Sequence, residues 1–242
     1  MYNSIIVKLC DFEKSGVTEL TVKEELEKIK YNEHCDWLDF RFQKKPVYSF
    51  LKRTGDILLS LIALICLSPI FIITALLIMI KDFGNPFFAQ DRVGRNGKIF
   101  KMYKFRSMYK DAEARKAELI DLNETDGTLF KIKEDPRILG TVGRIIRRTS
   151  IDELPQLVNI LKGDMAIIGP RPFIPAEHKL FTQKRELVRP GLSCYWQISG
   201  KNDLSKEMSN YCDKKYIMDR GVWTDIKIMF KTVAVVFKSE NS

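Results

Sequence analysis

Residues 57–80 read ILLSLIALICLSPIFIITALLIMI, a run of 24 residues without a charged side chain. Its only polar side chains are Ser60, Ser68 and Thr74. As a straight helix it would extend about 36 Å, enough to cross a hydrocarbon core of roughly 30 Å. Two paths fit such a run. One is a single kinked span. The other enters a bilayer, breaks where Ser68 meets Pro69, and leaves on the same side. Proline removes an i→i−4 bond and pushes its ring against the preceding turn, and Ser68 can bond back to a freed carbonyl. The flanks bear on the choice. Arg41, Lys44, Lys45, Lys52 and Arg53 precede the run; Lys81, Arg92, Arg95, Lys98, Lys101, Lys104 and Arg106 follow it. Positive charge marks the cytoplasmic side, and here both flanks are basic. The residues alone leave both paths open.

The chain as a whole is globular in composition, 45% hydrophobic and 29% charged, rather than disordered. The net charge of +9 beside an apolar run suits anionic lipid and phosphate-bearing substrates. Nucleic acid is not favoured, because the basic residues are not interleaved with stacking aromatics. The five cysteines (Cys10, Cys35, Cys66, Cys194 and Cys212) are scattered and contain no CxxC. They form neither a disulfide framework nor a zinc site and fit a reducing compartment. His34 and His178 stand alone, which argues against a His-based metal site or triad. No cleavable signal peptide is expected, since the apolar run within residues 1–9 is too short.

Three regions are expected: an N-terminal extension at 1–45 of unknown role, a membrane helix at 46–82, and a catalytic domain at 83–242. Within the extension, 5–9 reads as a short strand, and Thr21-x-x-Glu24 resembles a capping box opening a helix to about residue 30. Residues 46–56 lead into the apolar block. Phe87–Val93 and residues 98–105 read as a hairpin, since both Asn96 and Gly97 tolerate positive φ. Helices are expected at 111–122, 137–148, 150–161, 177–187, 205–218 and 223–237. Strands are expected at 166–168 and at 192–198, the latter carrying Trp196 as a packing residue. The last helix sets Ile226, Ile228, Met229, Phe230, Val233 and Val236 among Lys227, Lys231 and Lys238, which suits either the core or a lipid interface.

The densest chemistry runs from 144 to 171. Arg144, Arg147 and Arg148 precede Ser150, Asp152 and Glu153, and the loop Gly169-Pro170-Arg171-Pro172 follows. Guanidinium groups bind phosphate oxygens bidentately. A carboxylate can attack phosphorus to give an acyl phosphate, or hold Mg²⁺ together with substrate oxygens. Prolines on both sides of Arg171 would pre-place its side chain. Each motif also has a structural reading. Ser150-x-x-Glu153 is a capping box that would set Asp152 at a helix N-terminus, where the dipole keeps it ionised. The arginine run could be a solvated helix face. Asp213, on a helix with Tyr216 three residues on, is a further carboxylate that nothing local assigns to the site.

Four stretches resemble the bacterial sugar transferases, the monotopic polyprenyl-phosphate phosphoglycosyl transferases. They are KRTGDILLSLIALICLSPIFIITALLI (52–78), FAQDRVGRNGKIFKMYKFRSM (88–108), DPRILGTVGRIIRRTSIDELPQLVNILKGDMAIIGPRP (135–172) and RPGLSCYWQISGKND (189–203). The third is the specific one. The resemblance implies an α+β monotopic membrane protein with a re-entrant helix broken at Ser68 and Pro69, and a mostly helical cytosolic catalytic domain with a small β element. It implies transfer of a phosphosugar from a UDP-sugar to undecaprenyl phosphate, with UMP released and Mg²⁺ required, as the first membrane step of glycan synthesis. Asp152 would be the nucleophile and a metal ligand, and Glu153 its partner. Arg148 and Arg171 would bind phosphates, with Arg144, Arg147, Pro170, Lys104 and Asp213 as further substrate-binding candidates. The expected location is the cytoplasmic face of a bacterial inner membrane, with lipids and a second copy of the chain as expected neighbours. Residues 1–45 have no counterpart in the smallest members, and the multi-helix membrane domain of the large members is not seen. The competing class is a membrane-anchored basic scaffold that binds anionic lipid or nucleic acid.

Overall fold

The computed structural model describes residues 42–115, 132, 135–178, 183–198 and 206–239. The chain divides into two compact units, residues 1–44 and 45–242. The first lies almost wholly outside the described residues, and with it the expected strand at 5–9 and helix at 21–30. The second mixes helix and strand and is mostly helical, with a small β content.

The apolar run forms the larger part of two helices, α1 (Pro46–Cys66) and α2 (Ser68–Lys81). Residues 46–56 are the opening turns of α1 rather than a separate lead. Pro46 stands at the helix start, where no intrahelical donor is needed. The pair bends by 61° at Leu67, one residue ahead of the expected break. Ser68 Oγ donates to the Ile65 carbonyl at 2.8 Å, the back-bond foreseen for it. Pro69 falls in the first turn of α2, where its ring begins a helix instead of interrupting one. No single described helix is long and apolar enough to cross a membrane; the bent pair passes that test together, by length and composition.

The bend lets the pair rest on two apolar clusters. Ala63 and Leu64 of α1 pack against Phe100, Met102, Leu157, Ile160 and Met165. Phe71 and Ala75 of α2 pack against a cluster of Ile78, Phe105, Leu139 and Ile146. Away from these contacts, Leu58, Leu61, Ile62, Ile65, Ile72, Ile73 and Leu76 remain exposed. Beyond the pair, Arg106 Nη1 reaches Asp82 Oδ2 at 2.6 Å and ties the end of α2 to the strand that follows.

β1 (Phe87–Val93) pairs antiparallel with β2 (Ile99–Phe105), in register from Phe87 opposite Phe105 to Val93 opposite Ile99. Asn96 and Gly97 both adopt positive φ, 57° and 72°, as the hairpin reading requires. β2 begins one residue later than expected because the Lys98 carbonyl closes the turn onto the Gly94 N–H at 2.9 Å. A second sheet pairs β3 (Ala166–Ile168) in parallel with β4 (Gly191–Ser193).

Several expected helices are shorter than their apolar patterns. α3 spans Gly140–Arg148 instead of starting at 137. Its expected first turn is diverted: Arg137 donates through its backbone N–H and its guanidinium to Asp135, and Ile138 bridges to Met108. The helix expected at 177–187 appears as α5 (Pro175–His178) and a 3₁₀ turn at Gln183–Leu187, with 179–182 outside the described residues. The strand expected at 192–198 ends at Ser193. Gln197 folds back, accepting from the Cys194 N–H at 3.0 Å and donating to the Leu192 carbonyl at 2.7 Å. The chain there turns into α6 (Tyr195–Ile198). Of the helix expected at 111–122, residues 111–115 form a turn and the rest lies outside the described residues. α7 (Lys206–Asp219) and α8 (Val222–Ser239) match the sequence reading within two residues. On α8, Ile228 is buried while Trp223, Phe230 and Val233 face outward. Cys66, Cys194 and Cys212 are free thiols.

The two strands of the second sheet meet through glycines. A Cβ on Gly191 would stand 2.0 Å from the Gly169 nitrogen, so no side chain fits there. Gly191→Ala should therefore cost about 2 kcal/mol or more of folding stability, as overpacking does. Urea denaturation measures it, and a loss within error of zero would contradict this close approach.

Candidate active site

The Asp152, Glu153 pair does not open a long helix. Ser150 adopts the left-handed backbone region at φ 58°, makes no capping hydrogen bond, and Ile151–Glu153 form a separate 3₁₀ turn. The helix proper, α4 (Gln156–Lys162), starts after Pro155. A continuous helix over 150–161 would drive the Pro155 ring into the carbonyl four residues back, at Ile151. The capping-box reading is thus overturned, and with it the idea that a helix N-terminus keeps Asp152 ionised.

Packing and a cation hold the pair instead. Ile151 and Leu154, on either side of it, pack into the cluster that includes Ile78, Phe105, Leu139 and Ile146. This seats the turn beside α2. From β2, Lys104 Nζ approaches Glu153 Oε1 at 3.0 Å and Asp152 Oδ2 at 3.7 Å. The Asp152 side chain keeps 15% of its exposure, enough for a ligand to reach it. Burial raises its carboxyl above the usual range; Lys104 pulls it down, Glu153 pushes it up, and Arg147 pulls it down again. The cations therefore counter only part of the effect of burial and the neighbouring carboxylate, and the carboxyl stays raised. Arg144, Arg147 and Arg148 are exposed on α3, and Arg147 is the one whose charge acts on Asp152.

β2 and α4 are locked at one relative height by Asn159, which is fully buried. It accepts from the Tyr103 N–H at 2.9 Å and donates to the Lys101 carbonyl at 2.7 Å. Lys104 is the next residue after Tyr103, so this side chain helps set the Lys104 approach. The far end of α4 is capped by Arg53 of α1, whose guanidinium donates to the Ile160 and Leu161 carbonyls at 2.6 and 2.9 Å. Sequence reasoning ranked Lys104 low; its place opposite the carboxylates depends on strand register, which no local signal carries.

The Gly169-Pro170-Arg171-Pro172 loop leaves β3 and belongs to a second group of side chains. The Arg171 guanidinium lies over the Trp196 ring at 4.4 Å from its centroid, so Trp196 supports a cation as well as packing. Arg185 stacks on Phe173 at 4.2 Å and places Nη2 2.8 Å from Asp213 Oδ2. Asp213 is fully buried, and neither of its oxygens has the geometry of a full hydrogen bond. Burial raises its carboxyl to about 6; Arg185 draws it down, as do the Arg171 N–H and charge. A cleft beside this group is lined by Val93, Gly94, Pro170, Arg171, Arg185, Glu186 and Pro190. Arg185 was missed from sequence. It stands between Lys184 and Glu186 in a charged stretch, and its contacts with Phe173 and with Asp213 of α7 form only in the fold. Thus the structure gathers the candidates into two groups, Lys104, Arg147, Asp152 and Glu153 in one, and Pro170, Arg171 and Asp213 with Arg185 in the other.

Residues 47–239 match the bacterial sugar transferase family. The chain is 41% identical over 203 residues to an undecaprenyl-phosphate galactose phosphotransferase of Salmonella typhimurium, covering 80% of this chain and 42% of that protein. It is 38% identical over 205 residues to the exopolysaccharide production protein ExoY of Sinorhizobium fredii, covering 82% of this chain and 90% of that one. A UDP-N-acetylgalactosamine-undecaprenyl-phosphate N-acetylgalactosaminephosphotransferase of Aeromonas hydrophila is 36% identical over 206 residues, 79% of this chain and 44% of that protein. The chain belongs to the bacterial sugar transferase family. It spans about two fifths of the Salmonella relative and nine tenths of the Sinorhizobium one.

Two titrations check these electrostatics. Removing the cation in Lys104→Met should move the Asp152 carboxyl further up, read by ¹³C NMR of the labelled side chain; a downward move or no move would break the Lys104 assignment. Asp213 has a folded pKa of about 6 against an ordinary 3.8. Its contribution to stability is therefore full below pH about 3.8 and is lost as pH rises through about 6, on the order of 2–3 kcal/mol. Wild-type denaturation midpoints should show that loss between pH 4 and 7. Asp213→Asn should lack it, whatever its absolute stability.

Proposed function

We propose that this chain is a phosphoglycosyl transferase that moves a sugar 1-phosphate from a UDP-sugar to undecaprenyl phosphate. The observation that carries the reading is the Asp152 carboxylate, largely buried, faced by Lys104, flanked by Glu153, and seated beside the apolar α1–α2 pair. The relatives' names support the acceptor and the sugar phosphate class.

In the reaction, an Asp152 oxygen attacks the sugar-bearing phosphorus. The bond from that phosphorus to the bridging oxygen breaks, and UMP departs with the electron pair. The acyl phosphate then meets an oxygen of undecaprenyl phosphate, which forms the new P–O–P bond and returns the Asp152 carboxylate. Arg171 and the arginines of α3 would neutralise phosphate oxygens. Lys104 draws the Asp152 carboxyl down against its burial and pairs with Glu153. Among the described residues no three His, Cys, Asp or Glu side chains come together as a metal site. A single partly open carboxylate still suits Mg²⁺, which is commonly held by one or two carboxylates plus substrate phosphates. Asp152 would hold it, and the ion would supply neutralisation of the diphosphate.

The geometry also suits the meeting of unlike substrates. A polyprenyl chain stays in a bilayer and a UDP-sugar stays in water. The exposed apolar side of the helix pair would lie in the cytoplasmic leaflet of a bacterial inner membrane, as a re-entrant element, with the Asp152 turn beside it. Lys81, exposed at the end of α2, suits anionic headgroups.

UMP release from a panel of UDP-sugars, with Mg²⁺ and undecaprenyl phosphate, tests the reaction. At least one sugar should give UMP, and Asp152→Asn should lower its rate by about 10³-fold or more. Wild-type turnover in Asp152→Asn would remove the nucleophile assignment; silence across the panel from folded protein would remove the reaction.

A further inference from the structure

The strand that delivers Arg171 is held at two adjacent residues, at one of them by α1 directly and at the other by α7. From one side, Asp56 Oδ1 accepts from the Ile167 N–H at 3.1 Å. From the other, the Tyr216 hydroxyl of α7 lies 2.9 Å from the Ile168 carbonyl and 3.0 Å from Asp225 Oδ1 of α8. Asp225 in turn takes Lys52 Nζ at 2.8 Å and the Tyr48 hydroxyl at 2.9 Å, both from α1. Lys52 Nζ is also 3.7 Å from Asp56, so one ammonium bridges the two grips. Ile168 is the last residue before Gly169-Pro170-Arg171-Pro172. One turn back on α7 from Tyr216 stands Asp213, whose carboxylate faces the Arg171 N–H. A single face of α7 therefore touches both ends of the segment from Ile168 to Arg171.

These contacts are mostly shielded from water. Tyr216 is 1% exposed and Asp56 5%, and the Lys52 and Asp225 side chains keep 16% each. Hydrogen bonds to charged groups at such depth are stronger than surface ones. Packing a helix on a sheet does not need them, since α1 already has Ala63 and Leu64 in an apolar cluster and Arg53 on α4. What the polar chain adds is direction: it specifies where β3 stops and at what height the loop begins.

We propose that α1 is a positioning element for the Arg171 loop, acting through Lys52, Asp225 and Tyr216 on the Ile168 carbonyl and through Asp56 on the Ile167 N–H. The seating of the apolar helix pair then sets the place of the Arg171 guanidinium. Lys52, Asp56, Asp225 and Tyr216 are positioning residues. That Arg171 meets a donor phosphate rests on the phosphosugar-transfer reading; the coupling from α1 to the loop does not.

Two readouts separate these claims. Amide hydrogen exchange at Gly169 and Arg171, in the full chain in nanodiscs, reads the coupling without any substrate. Lys52→Met and Tyr216→Phe should each raise exchange there by about tenfold, the scale of one lost charged hydrogen bond. The double variant should rise no further than the larger single one, because both break the same chain. Lys52→Arg should return towards wild type. Arg53→Met supplies the comparison, since it loosens α1 from α4 outside the chain. Equal exchange at Gly169 and Arg171 in Arg53→Met and Lys52→Met, at equal loss of thermal midpoint, would overturn the proposal, as would wild-type exchange in Lys52→Met. The second readout is UMP release, in which Lys52→Met should raise the donor KM severalfold more than it lowers kcat. A kcat loss with unchanged KM, from a variant with raised exchange, would overturn the link from loop to donor. If wild type releases no UMP, the transfer reading fails while the exchange result still decides the coupling.

Discussion

The fold is organised around the bend at Leu67, where α1 ends and α2 begins, with a different apolar cluster packed on either side of it. With the 61° bend, α1 lays Ala63 and Leu64 on the β2 and α4 side while α2 lays Phe71 and Ala75 on the β2 and α3 side. β2 contributes to both clusters, through Phe100 and Met102 in one and Phe105 in the other. It is thus the strand against which the two arms are braced, and it also carries Lys104. On the pair, Leu58, Leu61, Ile62, Ile65, Ile72, Ile73 and Leu76 are left exposed, more large apolar side chains than an ordinary solvated helix face carries.

Two carboxylates in this unit are deeply placed, and the structure treats them differently. Asp152 has a cation at the edge of hydrogen-bonding range, some remaining exposure and a neighbouring carboxylate. Asp213 has an arginine in direct contact, no exposure and a carboxyl raised to about 6. Its surroundings suit a fixed electrostatic support for the Arg171 loop. Both charges are tolerated for the usual reason, an opposite charge close by where water is scarce.

Much of this was legible in the residues. The bent apolar pair, the back-bond from Ser68, the Asn96, Gly97 turn, the two C-terminal helices and the family resemblance all follow from local pattern. Local pattern failed where a nearby side chain competed for a backbone bond or for space. Pro155 divided the expected helix at 150–161, Asp135 captured Arg137, and Gln197 folded the chain away from β4. Each is a contact within a few residues, but its outcome turns on what the rest of the unit packs against it.

The sequence by itself determined an amphipathic break, an arginine-rich segment before two carboxylates, and the chemistry such groups can perform, since those follow from residue type and spacing. Only the tertiary structure decided that Lys104 faces the carboxylates, that Arg185 pairs with Asp213, and that α1 reaches the Arg171 loop through Asp225 and Tyr216. The reason is physical: each of these pairs joins residues tens of positions apart, and their approach is set by strand register and helix packing, which no local propensity encodes.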